Sequence, residues 1–157
     1  MSQPSPREHE SGDQRLDRNL GELLQELRIC LPGVQVLFAF LLAVPFQPNF
    51  NDVTEFQRTI YFATLLLTAL STILFIAPTA FHRLTFRLQQ KERLVLIGNK
   101  LTVAGVGALG FAMTGAVTLI TDVLYGNPAT AIVGSLTLLV LAVFWLAVPS
   151  YGRRYLK

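Results

Sequence analysis

Few side chains in the 157 residues combine reactivity with a place inside an apolar stretch, and those few set the chemistry open to the chain. His82 stands beside Arg83. A lone histidine next to a basic residue suits anchoring at a membrane boundary, or proton handling near neutral pH as the sharper assignment. Gln35 is the most polar side chain deep in any apolar block; an amide there either bonds a neighbouring helix or lines a polar cavity. Thr64, Thr68, Ser71 and Thr72 share one block, Thr114 and Thr118 another, and Ser135 and Thr137 a third. Such hydroxyls can bond carbonyls of their own helix. Gln35, Thr68, Thr72 and His82 are the candidate lining of a solute or ion path. Asp52 and Asp122 lie at block ends, where carboxylates hydrate easily.

Catalysis requires positioned titratable groups within reach of one another. The chain has no G-x-S-x-G, no H-E-x-x-H, no phosphate-binding glycine loop and no paired carboxylates in an apolar block. Neither an enzyme nor a cofactor is expected. One cysteine, Cys30, rules out an intrachain disulfide and a Cys-rich metal site, and reads as a packing thiol. The net charge of +3 has no aromatic-interleaved basic patch behind it, which excludes nucleic acid as a partner. The basic residues sit beside apolar blocks, so the expected partner is the lipid bilayer, with a second copy or another membrane protein alongside.

Composition points the same way: 52% of residues are hydrophobic and 15% charged, against roughly 25% charged in a soluble domain. Ten of the 23 acidic and basic residues fall in the first 28 positions. The rest divides into four uncharged apolar blocks at about 29–46, 59–77, 101–120 and 129–148, each near the ~20 residues that cross a bilayer as a helix. Backbone groups in lipid must bond within their own segment, so the blocks are helices. The expected fold is an all-α membrane protein, a four-transmembrane-helix bundle over residues 29–150. Asn51-Asp52 with Glu55 resembles a capping arrangement ahead of the second span. Gly126-Asn127-Pro128 marks a turn, and Pro78 and Pro149 are expected to close the second and fourth spans.

Twelve of the 13 lysines and arginines lie on the N-terminal tail, the 78–100 connection and the C-terminus, leaving Arg58 on the other side. The positive-inside rule therefore puts both termini at the cytoplasmic face of the inner membrane. The polar leading stretch carries six acids before any apolar core, so the first span is read as an uncleaved anchor. Residues 1–12 read as a disordered tail and 151–157 as a basic cytoplasmic tail. Between 13 and 28, Leu16, Leu20, Leu23, Leu24 and Leu27 recur at helical spacing, with Arg18, Glu22, Glu26 and Arg28 off the stripe. This predicts a cytoplasmic amphipathic helix lying at the membrane surface. Its polar face is either solvated or docked on the basic inner loop, with Glu22 and Glu26 facing Arg83 and Arg87.

In the third span, Ala104, Ala108, Ala112 and Ala116 form a ladder, thinned further by Gly105, Gly107, Gly110 and Gly115. Small residues let helices approach closely in lipid, so this span is expected at the centre of the bundle. Pro78-Thr79 with Arg83 and Pro149-Ser150 with Arg154 match at a shift of 71 residues, a trace of parallel duplication or a chance match.

The stretch Glu22-Leu23-Leu24-Gln25-Glu26-Leu27-Arg28, followed by Gly33 to Leu42 (GVQVLFAFLL), then Pro45-Phe46, Gln57-Arg58, Tyr61, Thr64-Leu65-Leu66, Ala77-Pro78 and His82-Arg83, resembles a family of small bacterial four-span membrane proteins of unknown function, typical of actinobacteria. The resemblance covers about residues 17–150. It is strongest in the first hairpin and only compositional in the second. It implies a four-span fold and, through automatic labels in that family, sodium:proton antiport. Ion coupling normally places an ionisable residue at mid-depth, and the blocks hold none. The leading expectation is therefore a non-enzymatic accessory or scaffold protein acting through helix packing; the alternative is a small oligomeric cation/proton or solute transporter.

Overall fold

The computed structural model describes residues 12–85 and 91–147. Among these there are four helices and no strand: α1 Gly12–Ala43, α2 Glu55–Thr85, α3 Lys91–Tyr125 and α4 Ala129–Ala142, the last running on into a π turn at Val143–Ala147. Two 3-10 turns, Val44–Phe46 and Pro48–Asp52, join α1 to α2. Three helices are long and apolar enough to cross a membrane, and Ala129–Trp145 is a shorter apolar helix. The expected tails, with Pro149, and Arg87 lie outside the described residues. The long helices expose Val36, Phe40, Phe62, Ile73, Phe111, Val117 and Ile120, an apolar exterior suited to a lipid environment.

α1 departs from the expected surface helix followed by a span. It is one helix of 32 residues, about 48 Å at 1.5 Å per residue. The reason lies in its buried positions: Leu20, Leu27, Val34 and Leu41 stand seven apart, each 8% exposed or less, with Leu23 and the half-buried Cys30 between them. A seven-residue apolar repeat keeps one seam against neighbouring helices, and here that seam runs through both the charged and the uncharged halves. Leu23, Leu27, Val34 and Phe75 form the buried core, with Cys30 packed against it. Pro32 lies inside the same helix.

α2 passes through Pro78 to Thr85 rather than ending there. Proline removes one intrahelical bond without forbidding continuation in a packed membrane helix. Pro78 is fully buried, and its Cβ lies 3.5 Å from where a side chain would start at Gly98 of α3. The start of α2 is also shifted from expectation. Thr54, not Asn51-Asp52, caps it: its N–H donates to Gln57 Oε1 at 3.1 Å and its Oγ1 accepts from the Gln57 N–H at 3.2 Å. This is a Thr-x-x-Gln capping box.

α3 touches α1, α2 and α4, whereas α4 touches α3 alone among the described helices. The small residues explain the central place. Gly98, Gly105, Ala108 and Ala112 are buried, Gly105 against Phe75 and Leu74 of α2; of the predicted alanine ladder, Ala116 is half-buried and Ala104 is exposed. Toward α4, a Cβ on Gly110 would lie 2.7 Å from Leu141 Cδ1, and one on Gly134 of α4 would lie 2.9 Å from Thr118 Oγ1. A strict four-residue ladder drifts around a helix of 3.6 residues per turn, so Ala104 rotates off the face while Gly98, Gly105 and Ala112, seven apart, stay on it. At the α3–α4 turn Gly126 takes φ 66°, a conformation that favours glycine.

Candidate functional site

Polar side chains inside the bundle are spent on the backbone. Thr64 Oγ1 donates to Ile60 O at 2.7 Å, Thr68 to Thr64 O at 2.7 Å and Thr72 to Thr68 O at 2.9 Å, a chain of bonds one turn apart along α2. Thr114 and Thr118 do the same on α3, and Thr137 on α4. Ser71 instead crosses to α3, donating to Gly105 O at 2.8 Å. It can do so because Gly105 has no side chain to hold the helices apart. Tyr61 Oη donates to Leu41 O at 2.9 Å and closes α2 on α1. Among the described residues no buried side-chain nitrogen or oxygen lacks a partner.

The structure does not assemble the candidate path lining. Thr68 and Thr72 point their hydroxyls at their own helix, and the His82 side chain lies outside the described residues. Gln35 is exposed on the outer side of α1, where no side-chain bond to its amide is formed among the described residues. The seam 20-27-34-41 fixes this: Gln35 is one residue beyond Val34, about 100° around the helix. The pairing of Glu22 and Glu26 with Arg83 is not formed either. Glu22 meets Arg18 at 3.7 Å, four residues earlier on α1, and Glu26 and Arg83 are exposed. Both acids flank a groove whose far wall is Val95, Leu96 and Asn99 of α3.

A polar node that the sequence reading left as hydrated carboxylates joins three helices at the end opposite the basic residues. Asp122 Oδ2 accepts from Gln57 Nε2 at 2.9 Å, and Asp122 Oδ1 accepts from Thr130 Oγ1 at 3.0 Å. Gln57 and Thr130 stand in the first turns of α2 and α4, where exposed N–H groups favour an anion; Asp122 stands in the last turns of α3, where its own helix disfavours one. The carboxylate thus rests between two helix N-termini. The capping-box pattern Thr54-x-x-Gln57 was the sequence signal for Gln57; no local pattern links it to Asp122, 65 residues away. Asp122→Ala should lower stability by about 1–2 kcal/mol, since hydrogen bonds to a charged group contribute roughly 1.5–3 kcal/mol and relief of the helix-end repulsion returns some tenths. Thermal unfolding in mild detergent, combined with Gln57→Ala in a double-mutant cycle, measures this; strictly additive losses would count against the node.

Among the described residues no three His, Cys, Asp or Glu side chains come together as a metal site. Among the described residues, grooves of about 240 to 440 Å³ run between the helices. Residues 9–149 match the model of DUF6328, a family of unknown function. Neither a curated protein nor a solved structure matches the chain.

Proposed function

Since the chain belongs to DUF6328, a family of unknown function, we propose a role from its own residues: a non-enzymatic accessory or scaffold protein that works by packing laterally against another membrane helix. In this reading it crosses the inner membrane four times with both ends cytoplasmic, an orientation that the distribution of basic residues supports. The carrying observation is Gln35. It lies within the longest apolar stretch of α1, exposed, with no partner for its amide among the described residues.

An amide facing lipid loses the hydrogen bonds it would keep in water, and side-chain amides in membranes are accordingly found bonded across helices. Ala39 and Ala43, also exposed, follow at four-residue steps on the same face, leaving room for close approach of a second backbone. The partner is a second copy or another membrane protein offering an acceptor or donor at that depth. The transport alternative used Gln35 as an interior lining. With the amide outside the helix packing, a path along it would need a second chain to supply its other wall.

Gln35→Leu tests the proposal. Interhelical hydrogen bonds contribute roughly 0.6–2 kcal/mol, so association in density-matched detergent should weaken by about 3- to 30-fold. A parent chain that sediments only as monomer, without any co-purifying membrane protein, would sink the reading. Cation-dependent proton flux in reconstituted vesicles would instead favour transport.

A further inference from the structure

At the basic end, two grooves of about 270 and 440 Å³ share Glu26 and Asn99 and form one channel along the side of α3. Its character changes along its length. The outer part carries Glu22, Glu26 and Asn99; the inner part carries Val103 and Val106 of α3 with Phe144 and Trp145 of α4. From Val95 to Val106 the channel follows α3 for about 16 Å at 1.5 Å per residue. The combined space falls in the range of small-molecule sites, roughly 300–1,000 Å³.

Charge decides the occupant. Among the described residues the charged and amide side chains lining this channel are Asn19, Glu22, Glu26 and Asn99, with the Thr102 hydroxyl, and no described lysine or arginine lines it. Arg28 and Lys100 are near in sequence but do not line it. Glu22 is partly neutralised by Arg18 at 3.7 Å, whereas Glu26 has no ion pair or hydrogen bond among the described residues. Trp145 lines the inner part together with Glu26, and an indole attracts cations, most strongly where water is displaced.

We propose that this channel binds a lipophilic cation, an ammonium or phosphonium group carried on an apolar body, with the charge at Glu26 and Trp145 and the body against Val103, Val106 and Phe144. A zwitterionic or anionic amphiphile would set a phosphate or sulfate against two carboxylates. The site stands independently of the lateral packing proposed for Gln35, which lies on another face of α1.

The chain holds a single tryptophan, so emission from Trp145 reports this groove directly. Titration of the purified full-length chain in an uncharged detergent with tetraphenylphosphonium should give a saturable change, and tetraphenylborate, of similar size and opposite charge, should not. Glu26→Gln should weaken binding about three- to fivefold, the upper range for one lost exposed charge contact, with its thermal midpoint unchanged because Glu26 is exposed. Glu55→Gln, a carboxylate at the other end of the molecule, should stay within about twofold of the parent. Val103→Phe, narrowing the groove from α3, should weaken binding without touching any charge. Equal binding by the Glu26→Gln chain, an equal loss in Glu55→Gln, or saturable binding of the borate would overturn the proposal.

Discussion

Chains carrying Gly105→Ala are expected to unfold in mild detergent with about 1–3 kcal/mol less stability than the parent, the usual range for an overpacked contact. Two effects compete. Alanine is the better helix former by roughly 0.8–1 kcal/mol, which alone would stabilise α3. Against this, the new methyl would lie 2.7 Å from Phe75 Cε1, 2.8 Å from Phe75 Cδ1 and 3.2 Å from Leu74 Cβ. Phe75 is 0% exposed and belongs to the core cluster, so its ring has nowhere to turn. Separating the helices would also lengthen the Ser71–Gly105 hydrogen bond, now 2.8 Å. Packing therefore outweighs propensity.

The same change at Gly98 should go the other way. There the methyl would meet Leu23 Cδ2 and Pro78 Cβ at 3.5 Å, ordinary contact distance, and the propensity gain of up to about 1 kcal/mol remains. A Phe75→Leu change in the Gly105→Ala background should recover part of the loss, with a coupling energy of about 0.5–3 kcal/mol. Unfolding curves for the four chains would measure it, and zero coupling would mean that Phe75 does not set the helix spacing.

Leu27→Ala should cost about 2–4 kcal/mol, as for a leucine removed from a packed interior. Leu27 is 1% exposed and belongs to the core cluster that includes Phe75 of α2 and against which Val106 and Leu109 of α3 pack. The size of the loss decides how the charged half of α1 sits. A helix lying loosely on a membrane surface would lose a few tenths in global stability when one leucine is trimmed. A helix running on as part of the bundle loses a core contact. Leu42→Ala, on a residue 47% exposed, supplies the reference and should stay within about 0.5 kcal/mol.

Several features were legible in the chain because they depend on residues close together. The uncharged blocks fixed which segments are helices able to face lipid, since no other local structure satisfies an apolar backbone there. Gly126-Asn127-Pro128 marked its turn by the conformations those residues favour. The leucine stripe from Leu16 to Leu27 was visible as an apolar face, and all five leucines are at least half-buried in the bundle. Its continuation as Val34 and Leu41 was present in the same sequence but masked, because in an apolar block the buried side and the lipid side carry the same residue types. Hydropathy changes at Ile29; the packing seam does not.

The candidate polar residues show the limit most sharply. That Gln35 is the deepest amide, and that the blocks hold hydroxyls but no ionisable group, followed from the sequence. Whether Gln35 faces inward could not, for lipid and protein neighbours exert the same pull on the apolar residues around it and leave the rotation of α1 unset. Contacts between distant residues decide it: Val34 and Leu27 against Phe75, and Tyr61 on Leu41 O. Those contacts turn Gln35 outward, bring Asp122 between Gln57 and Thr130, and leave Glu26 over a groove closed by Trp145. The sequence by itself determined a helical membrane protein without an ionisable residue in its spans. The tertiary structure decided which of its polar groups are consumed by packing and which remain to meet a partner, because in a bilayer burial by protein, unlike burial by lipid, is set only by which helices touch.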